Sequence, residues 1–138
     1  MKNNADLTIF NKYTDAATRA EKWQRTQIPG VMWENRKAAN TLASGGNLSA
    51  NQATIYIPFA RGENFLPHND WQALTIKTGK WTLQEGDFVV RGLVRDRIST
   101  TYTITDLKAD YPQVLSIKSI DTMDMGSASM SHWQLGVA

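Results

Sequence analysis

The side chains whose type and spacing most invite chemistry are the arginines of "EGDFVVRGLVRDRISTTYTITDL", Glu85 to Leu107. Arg91, Arg95 and Arg97 fall within seven positions, between two runs that alternate like strands. A planar guanidinium forks well onto a phosphate or a carboxylate. Asp96 separates Arg95 from Arg97, so the local excess is one charge, or two with Arg91. Three roles are open to such a turn. It can touch a phosphate, stand in water as a hairpin tip, or reach a carboxylate on another copy of the chain.

The other reactive side chains are scattered. His68 lies beside Pro67 and Asp70, and His132 alternates with Trp133, away from the apolar phase. A metal site needs His, Asp and Glu clustered at ligand spacing. No such spacing is visible, and both histidines are expected at a surface or an interface. The chain has no cysteine, which excludes thiol catalysis, Cys-based zinc and iron–sulfur sites. Either redox compartment suits it. No serine sits in a G-x-S-x-G elbow, and neither "SGGN" nor "GSAS" follows the P-loop pattern. The pairs Asp106/Asp110 and Asp121/Asp124 sit beside turns, where aspartate bonds to its own backbone, and Asp121-Thr-Met-Asp124 lacks calcium-loop spacing. The motifs therefore predict no catalytic residue, no metal ligand and no cofactor site. Of the five tryptophans, Trp33, Trp81 and Trp133 are expected in the core. Trp23 and Trp71 are open between core and an exposed stacking platform.

Strands must position these groups. "DLTIFNKY" puts Leu7 and Ile9 on one face and Thr8 and Phe10 on the other. "EKWQRTQI" to "GVMWEN" reads as one long strand broken at Pro29-Gly30. A bulge or bend belongs there, because proline lacks the ladder donor. Asn40 to Gln52, "NTLASGGNLSANQ", is polar and aperiodic and predicts a mobile loop. "ATIYIP" resumes the strand pattern. Phe59 to Lys80 is an excursion that holds either a short helix from about Asn69, entered after Pro67, or irregular chain. "KWTLQ", "GDFVVRGLV", "TYTITDL", "QVLSIKSIDTM" and "SHWQLGV" alternate again, with a phase slip between Ile117 and Ile120 that predicts a second bulge. About eight short strands predict an all-β chain, a small antiparallel barrel or sandwich with long loops.

The totals agree. A chain of 138 residues is one ordinary domain, and roughly two-thirds of the unfolded surface is buried at that size. Net charge is +2, too slight for a dedicated nucleic-acid binder. No apolar run is long enough for a membrane helix, and "MKNNADLTIF" lacks a signal peptide's apolar core. A soluble protein without membrane contact is expected.

The order of segments carries a resemblance. "LTIFNKYTDAATRAEKWQRTQIPGVMWENRKAA" is followed by a polar loop and "TIYIPF", then by "WTLQEGDFVVRG", "YTITDL", "VLSIKSID" and "SHWQLG". From about Leu7 to Gly136 this resembles small proteins of tailed-phage and prophage morphogenesis clusters, and more loosely the head-closure, stopper or head-completion proteins of long-tailed phages. The resemblance implies a non-enzymatic virion component, a β-barrel that assembles as a homo-oligomeric ring between the portal or adaptor and the tail proteins. Such a ring retains packaged DNA. It implies assembly in the bacterial host cytoplasm, with Arg91, Arg95 and Arg97 at a subunit interface or the DNA channel. The assembly loop would be Ser44, Gly45, Gly46 and Asn47. The Phe59–Lys80 excursion is longer than a minimal head-closure barrel needs, which leaves a tail terminator or tail-completion protein as an alternative. From other classes, an oligonucleotide-binding barrel and a small enzyme or carbohydrate-binding barrel stay open.

Overall fold

The computed structural model describes residues 3–41, 47–111, 114–124 and 130–138, with the backbone alone at 36–41 and 47–51. Its strands are β1 (Ala5–Thr14), β2 (Glu21–Thr41), β3 (Asn47–Pro58), β4 (Phe88–Arg91), β5 (Val114–Met123) and β6 (His132–Val137). Two short helices, α1 (His68–Gln72) and α2 (Ile104–Asp110), lie between them. Every strand pair is antiparallel, and the sheet closes as β1-β2-β3-β6-β5-β4. The ring closes without being a regular barrel. The mainly antiparallel β architecture read from alternation is the one observed, with six described strands where about eight were expected.

β1 is buried on both faces over Leu7–Asn11. Leu7 and Ile9 join the main core with Ile28, Val31, Trp33, Ile55, Ile57 and Leu135. Phe10, on the other face, joins a smaller cluster with Val90, Val94 and Leu107. Period-2 alternation sends successive side chains to opposite faces, so β1 separates two cores.

Both predicted bulges are present. Ala5 pairs with Val31 and Leu7 with Ile28, which leaves one extra residue on β2 at Pro29-Gly30. Proline has no ladder donor to lose there, and Gly30 takes φ 79°. The Gly30 amide donates to Asp6 Oδ1 at 3.1 Å. Beyond the bulge β2 leaves β1, and from Met32 it pairs with β3. One strand thus serves both neighbours. On β5 the register slips between Ile117 and Ser119 against β6.

Three expectations are corrected. First, Asn40 to Gln52 is no loop of that length. β2 and β3 stay paired out to Thr41 and Asn47. Ladder hydrogen bonds need no particular side chain, so a polar, aperiodic sequence can extend a hairpin. Of the assembly-loop residues, Asn47 opens β3, while Ser44, Gly45 and Gly46 lie outside the described residues. Second, "KWTLQ" is not a strand. Trp81 makes a single parallel bridge to Phe65, yet Trp81, Thr82, Leu83 and Gln84 are all buried. Third, "YTITDL" is helical over Ile104–Leu107 within α2, as described below.

The Phe59–Lys80 excursion carries a 3-10 turn and α1, entered after Pro67. It is part of the fold. Phe59 and Phe65 stand 4.5 Å from Trp133 by ring centroids, and Trp81 stands 5.7 Å from it. Trp71 is fully enclosed, with Nε1 donating to Lys80 O at 3.1 Å and its ring edge-on to Tyr13. Offset aromatic packing of this kind adds to plain area burial.

Side chains replace the missing ladder at residues 82–87. Asn11 Nδ2 donates to Thr82 O at 2.8 Å, and Thr82 N donates to Asn11 Oδ1 at 3.2 Å. The same Nδ2 reaches Asp87 Oδ2 at 2.9 Å, Gln84 Nε2 reaches that oxygen at 2.6 Å, and Lys12 N reaches Asp87 Oδ1 at 3.2 Å. Asp87 is buried. Desolvation raises its pKa above the ordinary 3.8, and the hydrogen bonds from Asn11, Gln84 and Lys12 offset only part of that rise.

This has a consequence for stability. The folded chain holds the Asp87 proton more tightly than the unfolded chain does. Its contribution is therefore full below pH 3.8 and is lost as pH rises through the elevated folded value. Asp87→Asn removes this component, so the difference in unfolding free energy between wild type and variant changes with pH across that window. Urea titrations at a series of pH values measure it. Parallel profiles for the two proteins would show that Asp87 does not titrate as described.

Candidate docking surface

The arginine segment is a strap laid on the outer face of β1 and β2. The chain leaves β4 at Gly92, where φ is 107° and the amide donates to Asp6 O at 2.7 Å. Thr8, fully buried, then clasps the strap from below. Its Oγ1 donates to Gly92 O at 2.7 Å and accepts from Val94 N at 2.9 Å. Gln27 Nε2 donates to Val94 O at 2.8 Å. Arg25 Nη1 donates to Val94 O at 3.0 Å and to Arg95 O at 2.6 Å. Thr8 pairs with Gln27, and Phe10 with Arg25, so these side chains rise from one face of the hairpin. The strap thus has no ladder of its own and is held by side chains of the strands beneath.

α2 closes the strap, where "TYTITDL" had predicted a strand. Thr103 is the N-cap: its Oγ1 accepts from Asp106 N at 3.4 Å, and Asp106 Oδ2 accepts from Thr103 N at 2.9 Å. This reciprocal capping box satisfies two amides that no helix carbonyl can reach. Leu107 is fully buried and ties the helix to the outer cluster. Two tyrosines fasten strap to helix. Tyr102 donates to Asp110 Oδ2 at 2.8 Å, and Tyr111 donates to Asp96 Oδ2 at 2.9 Å. Burial and the bonded Asp110 push the Tyr102 hydroxyl's pKa up, while for Tyr111 the bond to Asp96 comes first.

Arg95 and Arg97 are exposed, and among the described residues neither makes an ion pair. Asp96, which stands between them in sequence, is bonded to Tyr111 instead. Arg25 was not singled out by sequence, where it reads as one more polar residue on a strand's outer phase. It is half-buried, its Nε has no partner, and no described carboxylate pairs with it. Burial lowers its pKa, and the charge of Arg97 lowers it further, with Asp96 opposing. The strap therefore gathers Arg25, Arg95 and Arg97. Arg91 stands apart. It is exposed at the end of β4, opposite Leu7 and on the inward phase, and no described bond joins it to the others.

A surface cleft of about 570 Å³ adjoins the strap, lined by Tyr13, Lys22, Trp23, Ile98, Ser99 and Thr100 among others. Several of its polar groups are already engaged. Lys22 bridges to Asp15 at 2.7 Å, Glu21 bridges Lys12 at 3.0 Å, and Ser99 Oγ lies 3.1 Å from Thr101 Oγ1. Trp23 is half-buried, with Phe88 at 5.3 Å. Of the two tryptophans left open by sequence, Trp71 is enclosed and offers no stacking face. His68 is exposed, and His132 Nδ1 lies 2.8 Å from Met130 O. Among the described residues, no group of three or more His, Cys, Asp or Glu side chains gathers as a metal site.

Fold and surface together define a small closed β protein whose outer face carries a cationic strap. The chain belongs to the family of unknown function DUF6751, whose model matches residues 1–138. No curated protein and no solved structure matches it.

The capping box carries its own test. Thr103→Ala should lower stability by about 1 kcal/mol, and Thr103→Ser should recover most of it. Denaturant unfolding measures both. An Ala variant as stable as wild type would mean that α2 does not depend on its cap.

Proposed function

We propose that this protein is a structural, non-enzymatic component of a tailed-phage virion, a subunit of the head–tail connector of the head-closure or stopper type. It works as a ring of identical copies between the portal or adaptor and the tail proteins, and the ring helps retain packaged DNA. It is assembled in the host cytoplasm and ends in the virion. The order of segments along the chain supports this reading.

The observation that carries it is the arm. The body is closed, since β1 pairs with β4 across Leu7–Phe10 and Phe88–Arg91. β2, however, pairs with β1 only up to Val31, and β3 pairs with β6 only from Ala53. From Glu34 to Gln52, then, β2 and β3 pair only with each other in the described ladder. An isolated two-stranded ribbon is marginal in water, and both of its edges present unpaired backbone groups that can take up a strand. From Arg36 to Gln52 its sequence contains only two large apolar residues, Leu42 and Leu48, and only Arg36 and Lys37 are charged. Such a ribbon gains little by folding back on its own body. It gains from a neighbour's edge, and a neighbour of the same kind makes a ring.

Replacing residues 37–51 by Asn-Gly, the dipeptide of a tight two-residue hairpin turn, tests the arm. The shortened chain should keep its melting temperature to within a few degrees. It should sediment as a monomer at concentrations where the full chain forms a ring. A full chain that stays monomeric, and is absent from purified particles, would sink the reading.

A further inference from the structure

We infer that the unpaired edge of β2 over residues 21–27 binds an extended segment of a different protein as an added antiparallel strand. That guest places a bulky apolar side chain in the cleft beside Trp23, and a polar one, about four residues earlier in its own chain, beside Arg61 and Glu63.

The edge is open because the two neighbours of β2 use different stretches of it. β1 pairs with β2 only up to Val31, and β3 pairs with it only from Met32. Extending the β2–β3 register would set Gly30 opposite Pro58, where β3 ends and a 3-10 turn begins. No described strand therefore lies beside residues 21–27 on the side away from β1. The direction of the backbone groups follows from β1. Lys12 turns its amide to Asp87 and its carbonyl to Gln72 and Gln84, and Asp6 turns its carbonyl to Gly92, all on the β4 side. Backbone groups alternate sides along a strand, so Leu7, Ile9, Asn11 and Tyr13 are the residues that bond to β2. Their partners are Ile28, Thr26, Gln24 and Lys22. Glu21, Trp23, Arg25 and Gln27 then direct N–H and C=O outward. Among the described residues these groups meet one hydrogen bond, a long one from Gln24 Nε2 to Arg25 O at 3.4 Å. No residue from 21 to 27 is buried. Charged side chains often guard such an edge, but Glu21 and Lys22 are spent on Lys12 and Asp15.

Two clefts fix what the edge takes. Side chains of a strand alternate between faces, so a cleft that touches four consecutive residues runs along the strand's edge. The cleft of about 570 Å³ touches residues 20–23, with Ile98, Ser99 and Thr100 on its other wall. A second, of about 230 Å³, touches residues 26–29 and faces Arg61, Glu63, Asn64 and Trp81. The larger has room for an aromatic or long aliphatic side chain against Trp23 and Ile98. The smaller is rimmed by polar groups: Glu63 has no described bond, and Arg61 has one 3.5 Å contact to Gly30 O. Trp23 and Gln27 are roughly 13 Å apart along a strand, and an antiparallel guest passes Gln27 first. Main-chain bonds hold such a guest, and the clefts select it. This chain offers no described segment that fits. Of its most exposed large apolar side chains, Ile76, Leu93 and Met130 lie outside the strands, and Met123 is paired with His132. The arm has no aromatic residue between Arg36 and Gln52.

A displayed library of random heptapeptides, selected on the full chain, tests the edge. Selection should enrich peptides with a bulky apolar residue four places after a polar one. When a synthetic copy of the most enriched peptide binds, amide hydrogen exchange should slow at Trp23, Arg25 and Gln27. It should stay unchanged at Gln24 and Thr26, which already bond to β1. N-methylating one alternate set of the peptide's amides should weaken binding by about 100-fold, while the other set is tolerated. Gln27→Pro removes one outward N–H and leaves the β1 ladder whole. Thr100→Trp fills the larger cleft from its exposed rim. Each should weaken binding by about tenfold or more, whereas Gln27→Ala, which loses the same side chain but keeps the N–H, should bind as wild type. Circular dichroism checks that each variant is folded. A library that gives no enrichment over the Gln27→Pro chain overturns the proposal. So does binding that survives both N-methylated sets, or protection that appears elsewhere in the chain. If no peptide is selected and Gln27→Pro instead blocks self-assembly, the edge serves a second copy and the proposal is wrong. Every readout but that last holds whether or not the chain forms a ring.

Discussion

Everything in this molecule depends on β1 being paired on both edges and buried on both faces. Across Leu7 to Phe10 it bonds to β2 on one side and to β4 on the other. Leu7, Thr8, Ile9 and Phe10 are all fully buried. The inward pair anchors the main core, while Phe10 anchors the outer cluster under the strap. Thr8 is the polar member of the outer pair, and its hydroxyl is the clasp for Gly92 and Val94. A buried hydroxyl must find partners or cost stability. Ring closure and strap placement are therefore set by the same four residues.

The bend in β2 is the second condition. The extra residue at Pro29-Gly30 falls where β2 passes from its pairing with β1, which ends at Val31, to its pairing with β3, which begins at Met32. A bulge sharpens local twist and redirects the strand. Here it turns a meander toward closure. The excursion from Phe59 to Lys80 then covers core that a six-strand ring leaves open. It is held by the Trp133 cluster and by Asn11, whose amide stands in for a neighbouring strand at Thr82. Short of this packing, residues 82–84 would be a buried stretch without ladder partners, which water-free surroundings do not tolerate.

These particulars explain what could be read from the sequence. Both bulges were legible because proline and a phase slip leave local marks. Trp33 and Trp133 were legible as core because their strands alternate, whereas Trp81 is in the core although its stretch is not a strand. α2 was not, since Tyr102 and Ile104 alternate like a strand and the Thr103–Asp106 cap was overlooked. The cap was the stronger local signal: a T-x-x-D box fixes a helix start, whereas two alternating apolar residues fix little. The arm was hidden for the opposite reason. Its ladder is backbone chemistry, and "NTLASGGNLSANQ" has no side-chain period to betray it. Of the candidate site, Arg95 and Arg97 were visible as a local cluster. Arg25 was not, because its partners lie about 70 residues away in the chain. The cleft was equally hidden, since it joins the β1–β2 hairpin end to the strap.

Closure carries a cost for any protein that must adhere. A sheet that closes on itself has given up most of the edges by which β proteins recruit one another. Adhesion then falls to what stands outside the ring. Here two such elements exist, and they differ in kind. The arm offers backbone edges, which accept many sequences and so give affinity with little selectivity. The strap offers fixed side chains, held from beneath by Thr8, Arg25 and Gln27, and fixed cations select a partner by charge and register. On the proposed reading the two divide the work. The strap sets which side of a neighbour may approach, and the arm then secures it. A closed β body with only one of these would either bind without discrimination or recognise without holding.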